Sequence, residues 1–210
     1  MSETANHERA LIIVDLQKDF CRGGSLAVNG GDEIVPIVNG IAERFFKVIA
    51  TRDWHPKGHV SFASAHRGKS PFELLELEGE VQTLWPDHCV QATQGAELHD
   101  ELRLAPIDLI LHKGTCLALD SYSAFFENDH RTSTGLEFYL RGLSCNELYF
   151  CGLASDVCVY YSVLDSLRLG FKCTVISDAM RGVDPAGTKR ALEDMAARGA
   201  AHIDSSELDQ

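Results

Sequence analysis

Short apolar runs recur along the chain, and stretches with the apolar spacing of helices separate them. Runs that are this short and almost continuously apolar are typical of strands buried on both faces of a parallel sheet. The candidate strands span residues 10–14, 45–50, 108–111, 148–151, 173–176 and, with a weaker pattern, 200–203. Strand and helix patterns that alternate in this way predict a doubly wound α/β fold.

Two of the intervening stretches carry clear helix signals. Apolar residues recur at helical spacing after Ser155, a residue type that commonly caps helix N-termini, and Gly170 follows the last of them. A second helix is predicted to open at the Asp-Pro pair 184–185, to run through Met195 and to end before Gly199. We therefore expect a three-layer α-β-α sandwich around a mostly parallel, doubly wound sheet of roughly six strands.

The whole chain, residues 1–210, is predicted to form one domain, because it contains no internal repeat, low-complexity tract or linker. One segment, at about 59–95, interrupts the alternation of strands and helices; it is long and holds glycine, proline, histidine and tryptophan. Long ordered loops of this kind are usually functional. We expect this excursion to complete a binding site at the edge of the sheet.

Charge and composition narrow the partners and the compartment. The chain has 210 residues and a formal net charge of −12, and a field of that sign repels phosphate backbones and anionic membrane surfaces. No apolar run of about 18 residues is present, and residues 1–10 lack the apolar core of a secretory signal. The seven cysteines are odd in number and form no C-x-x-C pair, which favours a reducing compartment. We therefore expect a cytoplasmic protein that binds neither nucleic acid nor a membrane.

Chemically capable side chains follow the predicted strands. In open α/β sheets, ligands bind beyond the carboxyl ends of the strands. Those ends carry Asp15, the pair Asp53 and His55, Lys113, and Cys158 at the start of the next helix. Each residue alone has an ordinary interpretation as a turn former, a solvated charge or core packing. Together, an acid, an amine and a thiol at one rim indicate a reactive cysteine.

The position of Cys158 predicts its chemical state. It falls in the first turn of a predicted helix, where the helix dipole favours a thiolate, and a neighbouring Lys113 ammonium would lower the thiol pKa further. We therefore expect a partly exposed thiolate at Cys158. Three other cysteines, Cys145, Cys151 and Cys173, lie in or beside apolar strand patterns and are expected to be buried and inert.

A second set of side chains has the composition of a metal site. Asp53 and His55 are two residues apart at an extended strand end, so their side chains point the same way, and His88 from the excursion could supply a third ligand. Three ligands leave positions open for water or substrate, as in catalytic metal sites. The alternative interpretation is three hydrogen-bonded or solvated polar residues. His59 and His66 lie nearby and are expected to be surface residues or residues that contact the metal ligands without binding the metal.

Six motifs stand in order along the chain and together resemble the nicotinamidase/pyrazinamidase family of the isochorismatase-like cysteine hydrolases. The similarity runs from about residue 10 to the last helix and strand. The motifs are IIVDLQKDFCRGGSLAV from Ile12, TRDWHPKGHVSF from Thr51, LWPDHCVQ from Leu84, HKGT from His112, DSYSAFF from Asp120 and GLASDVCV from Gly152.

The resemblance implies a role for each site residue. The family triad falls on Asp15, Lys113 and Cys158, and the family's metal ligands fall on Asp53, His55 and His88. A cis peptide bond before the nucleophile helix would join Leu153 to Ala154, and the backbone N–H groups of Ala154 and Cys158 would form an oxyanion hole. Phe20, Trp85 and Tyr122 match the aromatic walls around the substrate ring, although the spacing between Lys113 and Tyr122 varies within the family.

The implied activity is hydrolysis of nicotinamide, and of pyrazinamide, to the acid and ammonia through a cysteine thioester, as part of NAD salvage. The resemblance implies one divalent metal ion, for which zinc is the first expectation and iron or manganese the alternatives, and a homo-oligomer is compatible with it. The rival interpretations are a related amidohydrolase acting on a carbamoyl or ureido substrate and a noncatalytic binding module. The metal motif disfavours the first of these, and the intact acid, amine and thiol disfavour the second.

Overall fold

In the part of the chain that the structure describes, six strands form one sheet in which every pairing is parallel. The structure is a computed structural model that describes residues 8–77 and 80–208. The strand order in the sheet is β5-β2-β1-β6-β7-β8. The strands are β1 (Arg9–Val14), β2 (Lys47–Asp53), β5 (Leu109–Lys113), β6 (Glu147–Leu153), β7 (Lys172–Arg181) and β8 (Ala201–Ile203). The chain leaves β1 to one side for β2 and later returns to the other side for β6, which confirms the doubly wound sheet.

The strand ends differ from those that the apolar runs predict. Strand β2 begins two residues later than predicted, at Lys47, and continues through the polar residues 51–53. Its last residue, Asp53, lies opposite Lys113 in the register with β5. Strand β7 is ten residues long and extends to Arg181. Pairing with a neighbouring strand, rather than apolar character, therefore carries polar side chains to the carboxyl edge of the sheet.

Among the residues that the structure describes, four α-helices cover the two faces of the sheet: α1 (Val35–Ile41), α2 (Leu136–Gly142), α3 (Cys158–Arg168) and α4 (Pro185–Ala197). Alternate residues of β1 point to opposite faces: Leu11 and Ile13 pack in the core on the α1 side. The core on the other face contains residues of α2, α3 and α4. This arrangement confirms the predicted three layers. Short 3-10 turns lie at Lys18–Phe20, Gly31–Ile34, Ala42–Arg44, Ala63–Ala65, Gln94–Ala96 and Ser205–Glu207.

The two predicted helix starts have different outcomes. Asp184 caps α4 through its carboxylate, which accepts the backbone N–H of Gly187 at 2.6 Å, as its position predicts. The prediction that Ser155 caps α3 is wrong, because the helix begins at Cys158 and no side chain caps it. The backbone N–H of Ser155 donates to Arg181 at the end of β7, which holds this residue ahead of the helix.

The excursion between β2 and β5 contains an antiparallel hairpin that the sequence patterns do not predict, formed by β3 (Leu74–Leu77) and β4 (Glu80–Thr83). After the hairpin the chain returns beside the end of β2, where His55 N–H donates to the carbonyl of Cys89 at 3.0 Å. Gln91 N–H donates back to the carbonyl of His55 at 2.9 Å. These bonds place His88 next to His55. Within the described ranges, no helix is long and apolar enough to cross a membrane.

Candidate active site

Three neighbouring parallel strands end at the same edge and bring three charged side chains together. Asp15 follows β1 directly, Asp53 is the last residue of β2, and Lys113 is the last residue of β5. All three are buried, and the side chain of Lys113 has no exposed surface. The three residues form one cluster, as their positions at strand ends predict, and Lys113 lies next to Cys158 at the start of α3.

Lys113 is the centre of this cluster. Its Nζ lies 2.9 Å from Asp15 Oδ2, donates to Asp53 Oδ1 and to the carbonyl of Ser121 at 3.0 Å, and lies 3.5 Å from the sulfur of Cys158. Burial alone would lower the pKa of Lys113, but Asp15 and Asp53 outweigh burial and raise that pKa well above its usual value. The ammonium therefore stays charged and links the predicted triad to a predicted metal ligand.

The two carboxylates that share Lys113 have different acidities. Burial raises the pKa of Asp15 to about 6, an effect that Lys113 opposes and the nearby Asp53 charge reinforces. Burial would also raise the pKa of Asp53, but Lys113 and His55 outweigh it and lower the pKa of that carboxyl. Two carboxyl groups whose environments separate their pKa values commonly divide acid-base work between them. Asp15 is the one able to accept and release a proton near neutral pH.

Thr51 supports Asp15, a contact that the motifs did not reveal. Its hydroxyl donates to Asp15 Oδ1 at 2.6 Å and accepts the backbone N–H of Asp15 at 3.1 Å. Thr51 lies two residues before Asp53 on β2, so both side chains fall on the same face of the strand. That spacing was a signal available in the sequence. These two bonds fix the orientation of the Asp15 carboxylate.

The expectation of a partly exposed thiolate at Cys158 is wrong. The residue is only 7% exposed. Burial raises the pKa of its thiol well above the usual value; Lys113 opposes that rise, whereas Asp15 and Asp53 add to it. The sulfur lies within 4.8 Å of a carboxylate oxygen of Asp15. Burial therefore favours the neutral thiol, and a proton acceptor lies beside it. The predicted burial of Cys145, Cys151 and Cys173 is confirmed, and their inertness stays a prediction.

The three predicted metal ligands converge. Nε2 of His55 lies 3.6 Å from Asp53 Oδ2, and Nε2 of His88 lies 3.9 Å from the same oxygen. The opposite ring nitrogens donate to backbone carbonyls, Nδ1 of His55 to Gly114 at 3.0 Å and Nδ1 of His88 to Pro86 at 2.7 Å. In both rings the Nδ1 atom is bonded to a backbone carbonyl and the Nε2 atom lies near Asp53 Oδ2, and metal-binding histidines typically have the nitrogen opposite the metal bonded in this way.

Electrostatics and backbone also fit a metal site. Burial and the neighbouring His55 lower the pKa of His88 to about 4, so its ring is neutral at pH 7, the form that coordinates a metal. Gly114 has a φ of +62°, and a Cβ at that position would lie 2.4 Å from Cε1 of His55. Only glycine therefore allows the backbone carbonyl to approach the His55 ring this closely.

His59 is buried behind His55, which excludes the surface alternative for this residue. Its ring stacks on His55 with centroids 4.2 Å apart, and its nitrogens bond to the Ser61 hydroxyl and the Leu119 carbonyl. His59 and Asp120 have ligand atoms within 4.8 Å of those of His55, but both ring nitrogens of His59 are already engaged. We therefore expect His59 to hold the His55 ring in place by stacking on it. His66 is half-buried and bonds to the carbonyl of Val60.

A pocket of about 420 Å³, including its open mouth, lies above the thiol. Its walls include the three predicted aromatic residues, Phe20, Trp85 and Tyr122. Trp85 Nε1 donates to the hydroxyl of Tyr122 at 3.3 Å, and the ring of Phe20 lies 5.5 Å from that of His88. Asp53, His55 and His88 line the same pocket, as do Leu26, Val28, Asp120, Ser121, Ala154, Val157, Cys158 and Val183. Flat apolar walls beside a few converging polar groups suit a small aromatic ligand.

The peptide bond between Leu153 and Ala154 is cis, as the resemblance implies. Ala154 and Cys158 both line the pocket. Cys158 is the first residue of α3, where backbone N–H groups have no acceptor within the helix. The strand end before it requires glycine, because Gly152 has a φ of +112° and a Cβ there would lie 2.1 Å from the carbonyl oxygen of Val14.

Comparisons with known proteins agree on one family. The sequence model of the isochorismatase domain matches residues 9–207. The nicotinamidase of Escherichia coli is 48% identical over 198 residues, which cover 91% of this chain and 92% of that protein.

Solved structures give the same result. The Acinetobacter baumanii nicotinamidase/pyrazinamidase superposes with a TM-score of 0.94 at 44% identity, covering 96% of this chain and 98% of that one. A protein from L. infantum solved in complex with nicotinate has a TM-score of 0.85 at 33% identity and covers 96% and 94%. The pyrazinamidase of Pyrococcus horikoshii in complex with zinc has a TM-score of 0.78 at 37% identity and covers 94% and 99%.

Proposed function

We propose that this chain, which belongs to the nicotinamidases of the isochorismatase-domain family, hydrolyses nicotinamide to nicotinate and ammonia. The observation that carries the proposal is the contact of Lys113 with Asp15, Asp53 and Cys158, the last two of which line an aromatic pocket. This contact joins a base, a nucleophile and a ring-binding site in one place. Pyrazinamide has the same flat ring and carboxamide, so we expect it to be a substrate as well.

The nucleophile is Cys158 and the base is Asp15. As the carboxamide carbon approaches, the thiol passes its proton to Asp15, whose pKa of about 6 makes it an acceptor that can later release the proton. The sulfur then forms a bond to the carbonyl carbon. Lys113 remains charged throughout, so it stabilises first the carboxylate and then the developing negative charge on the sulfur.

The tetrahedral intermediate collapses to a thioester. Its oxyanion is held by the backbone N–H groups of Ala154 and Cys158, both of which border the pocket. Asp15 returns its proton to the amide nitrogen, the carbon–nitrogen bond breaks, and ammonia leaves. Water then gives a proton to Asp15 as it attacks the thioester, and the thiol is released with that proton together with the acid product.

The pocket positions the ring. We assign Phe20, Trp85 and Tyr122 to its walls, where contacts with aromatic faces hold a flat heterocycle. Tyr122 is anchored by Trp85 and by Gln82, whose Nε2 lies 3.2 Å from the Tyr122 hydroxyl. Fixing the ring in this way brings the carboxamide over the sulfur in a reactive orientation.

Asp53, His55 and His88 would hold one divalent ion, for which we propose zinc. Support comes from their buried, converging Nε2 and carboxylate atoms and from the zinc-bound pyrazinamidase to which this chain is similar. Such an ion supplies a Lewis acid with open coordination positions, which can bind a ring nitrogen or a water molecule. The two imidazoles and one carboxylate also admit iron or manganese, and elemental analysis of the purified protein distinguishes the three.

We place the reaction in the cytoplasm. All seven cysteines are free, and Cys116 is exposed, which suits a reducing compartment.

An ammonia-release assay tests the substrate assignment. Purified protein is compared on nicotinamide, pyrazinamide and an N-carbamoyl amino acid, with Cys158→Ala as the inactive variant and Cys116→Ala, at an exposed thiol, as the matched control. We expect turnover of both aromatic amides by the wild type and by Cys116→Ala. Turnover of the carbamoyl compound alone would assign the protein to the other substrate class, and full activity in Cys158→Ala would refute the nucleophile.

A further inference from the structure

The segment that follows β1 contains two polar side chains that the proposed chemistry does not use, Gln17 and Asp19. Both lie between the catalytic Asp15 and the pocket residue Phe20. Each makes hydrogen bonds to a distant part of the chain, and each of those parts carries a proposed metal ligand.

Gln17 holds the backbone of Asp53. The residue is fully buried, its Oε1 accepts the backbone N–H of Asp53 at 2.8 Å, and its Nε2 donates to the carbonyl of Asp53 at 2.8 Å. The same nitrogen donates to the carbonyl of Ala96 at 2.9 Å. One carboxamide thus pairs with both backbone polar groups of a proposed ligand and ties it to the end of the excursion.

Asp19 holds the residue that follows His88. Its Oδ2 accepts the backbone N–H of Cys89 at 2.7 Å, and its Oδ1 accepts that of Ser25 at 3.2 Å. Cys89 has a φ of +46°, a conformation that non-glycine residues adopt only when their surroundings hold it. The carboxylate therefore fixes the chain direction immediately after a proposed ligand.

The space around Asp19 is closed by two glycines. A Cβ at Gly95 would lie 2.1 Å from Asp19 Oδ2, and a Cβ at Gly24 would lie 2.3 Å from the carbonyl oxygen of Asp19. Side-chain atoms at either position would displace the aspartate. The absence of a side chain at Gly24 and Gly95 therefore leaves room for Asp19 where its carboxylate reaches Cys89.

We infer that Gln17 and Asp19 are positioning residues for the metal site, holding Asp53 and His88 at the separation that a divalent ion requires. This inference rests on the metal site of the proposed function. Partners that orient ligands from behind commonly change metal affinity by roughly 10–100-fold when they are removed. Gln17 and Asp19 act through the backbone, so their loss should weaken metal binding while the ligands themselves remain.

The test measures zinc affinity of the full-length protein by competition with a chromogenic chelator. Asp19→Asn keeps the shape of the side chain but supplies one acceptor oxygen for two N–H groups, and Gln17→Met removes all the bonds of the carboxamide. The matched control is Asp129→Asn, because Asp129 also accepts loop N–H groups, those of Arg131 and Thr132, but in an exposed loop. We expect zinc binding to weaken about tenfold or more in the first two variants and not in the control.

Further measurements separate a positioning role from a general loss of structure. The thermal midpoint of each metal-free variant is recorded, and turnover is measured with increasing zinc, which should restore kcat in Asp19→Asn. Should Asp19→Asn fail to fold, Gly95→Ala displaces the same carboxylate without removing it. Unchanged zinc affinity in the folded variants, or an equal loss in Asp129→Asn, would overturn the inference. Absence of binding of zinc, iron and manganese by the wild type would instead refute the proposed metal site.

Discussion

Removing the hydroxyl of Thr51 should shift the pH dependence of turnover. In Thr51→Val the side chain keeps its shape but no longer donates to Asp15 Oδ1. A hydrogen bond donated to a carboxylate stabilises its ionised form, so losing the bond raises the pKa of Asp15 above its value of about 6. Because the proposed base must be ionised to accept the thiol proton, the acid limb of kcat/KM should move to higher pH.

The size of the shift follows from the geometry. The bond is 2.6 Å long and both residues are fully buried. Hydrogen bonds to charged groups contribute roughly 1.5–3 kcal/mol, and one pKa unit corresponds to about 1.4 kcal/mol. Lys113 has more influence on the Asp15 pKa than Thr51 has, so we take the lower end, a shift of about one unit. Turnover should then fall about fivefold at pH 6 and remain nearly unchanged at pH 8.

Ammonia release is measured from pH 5 to 9 at saturating metal, which gives the acid limb of kcat/KM for the wild type and for Thr51→Val. Thr51→Ser, which retains the hydroxyl, is the matched control. Thr51→Val also leaves the backbone N–H of Asp15 without its 3.1 Å acceptor, so urea unfolding should show a loss of about 1–3 kcal/mol. If the acid limbs of Thr51→Val and the wild type coincide while stability falls, Thr51 supports the fold and not the base, and the reasoning is refuted.

Further changes test the remaining parts of the site. Lys113→Ala should lower kcat/KM at least about tenfold. Lys113→Arg should not restore it, because a planar guanidinium does not fit the place of an ammonium between two carboxylates. Wild-type kinetics in either variant would contradict the proposed role of Lys113. His55→Ala and His88→Ala should reduce bound metal in elemental analysis without loss of the circular dichroism spectrum, and full occupancy in either removes that residue from the ligands. Iodoacetamide should label the exposed Cys116 first, without loss of activity. Cys158 should react slowly and in step with inactivation, and nicotinamide should slow its reaction further. Peptide mapping that links inactivation to Cys116 would contradict the assignment of Cys158 as nucleophile.

The strand interiors were predictable, but the strand ends were not. The apolar run 45–50 located β2, yet Phe45 lies outside the strand and the polar residues 51–53 lie inside it. Apolar character reports burial, whereas the sheet is defined by hydrogen bonds to a neighbouring strand. Thr51, Arg52 and Asp53 remain in β2 because β5 pairs with each of them. No pattern within one strand contains that information.

The proposed site was predictable where chemistry depends on a side chain at a strand end. Asp15, Asp53 and Lys113 each carry a charge at such an end, and the parallel sheet brings those ends together. Ser121 gave no signal, because it contributes its carbonyl oxygen to Lys113 and every residue has one. Gln17 also bonds to the backbone, so the identity of its partner depends on the folded path of the excursion.

The charge state of Cys158 shows why position alone could not settle the chemistry. A helix N-terminus and a nearby lysine both lower a thiol pKa, and from these two features a thiolate was the reasonable expectation. The structure adds that the same Lys113 is shared between Asp15 and Asp53, so its positive charge is already opposed by two carboxylates when it meets the sulfur. Burial then decides the outcome in favour of the neutral thiol. In the proposed mechanism, a thiol that stays protonated beside a carboxylate of pKa about 6 is activated by proton transfer as the substrate arrives. The proposal thus differs from one based on a preformed thiolate, and it predicts that Asp15, and with it Thr51, controls the rate.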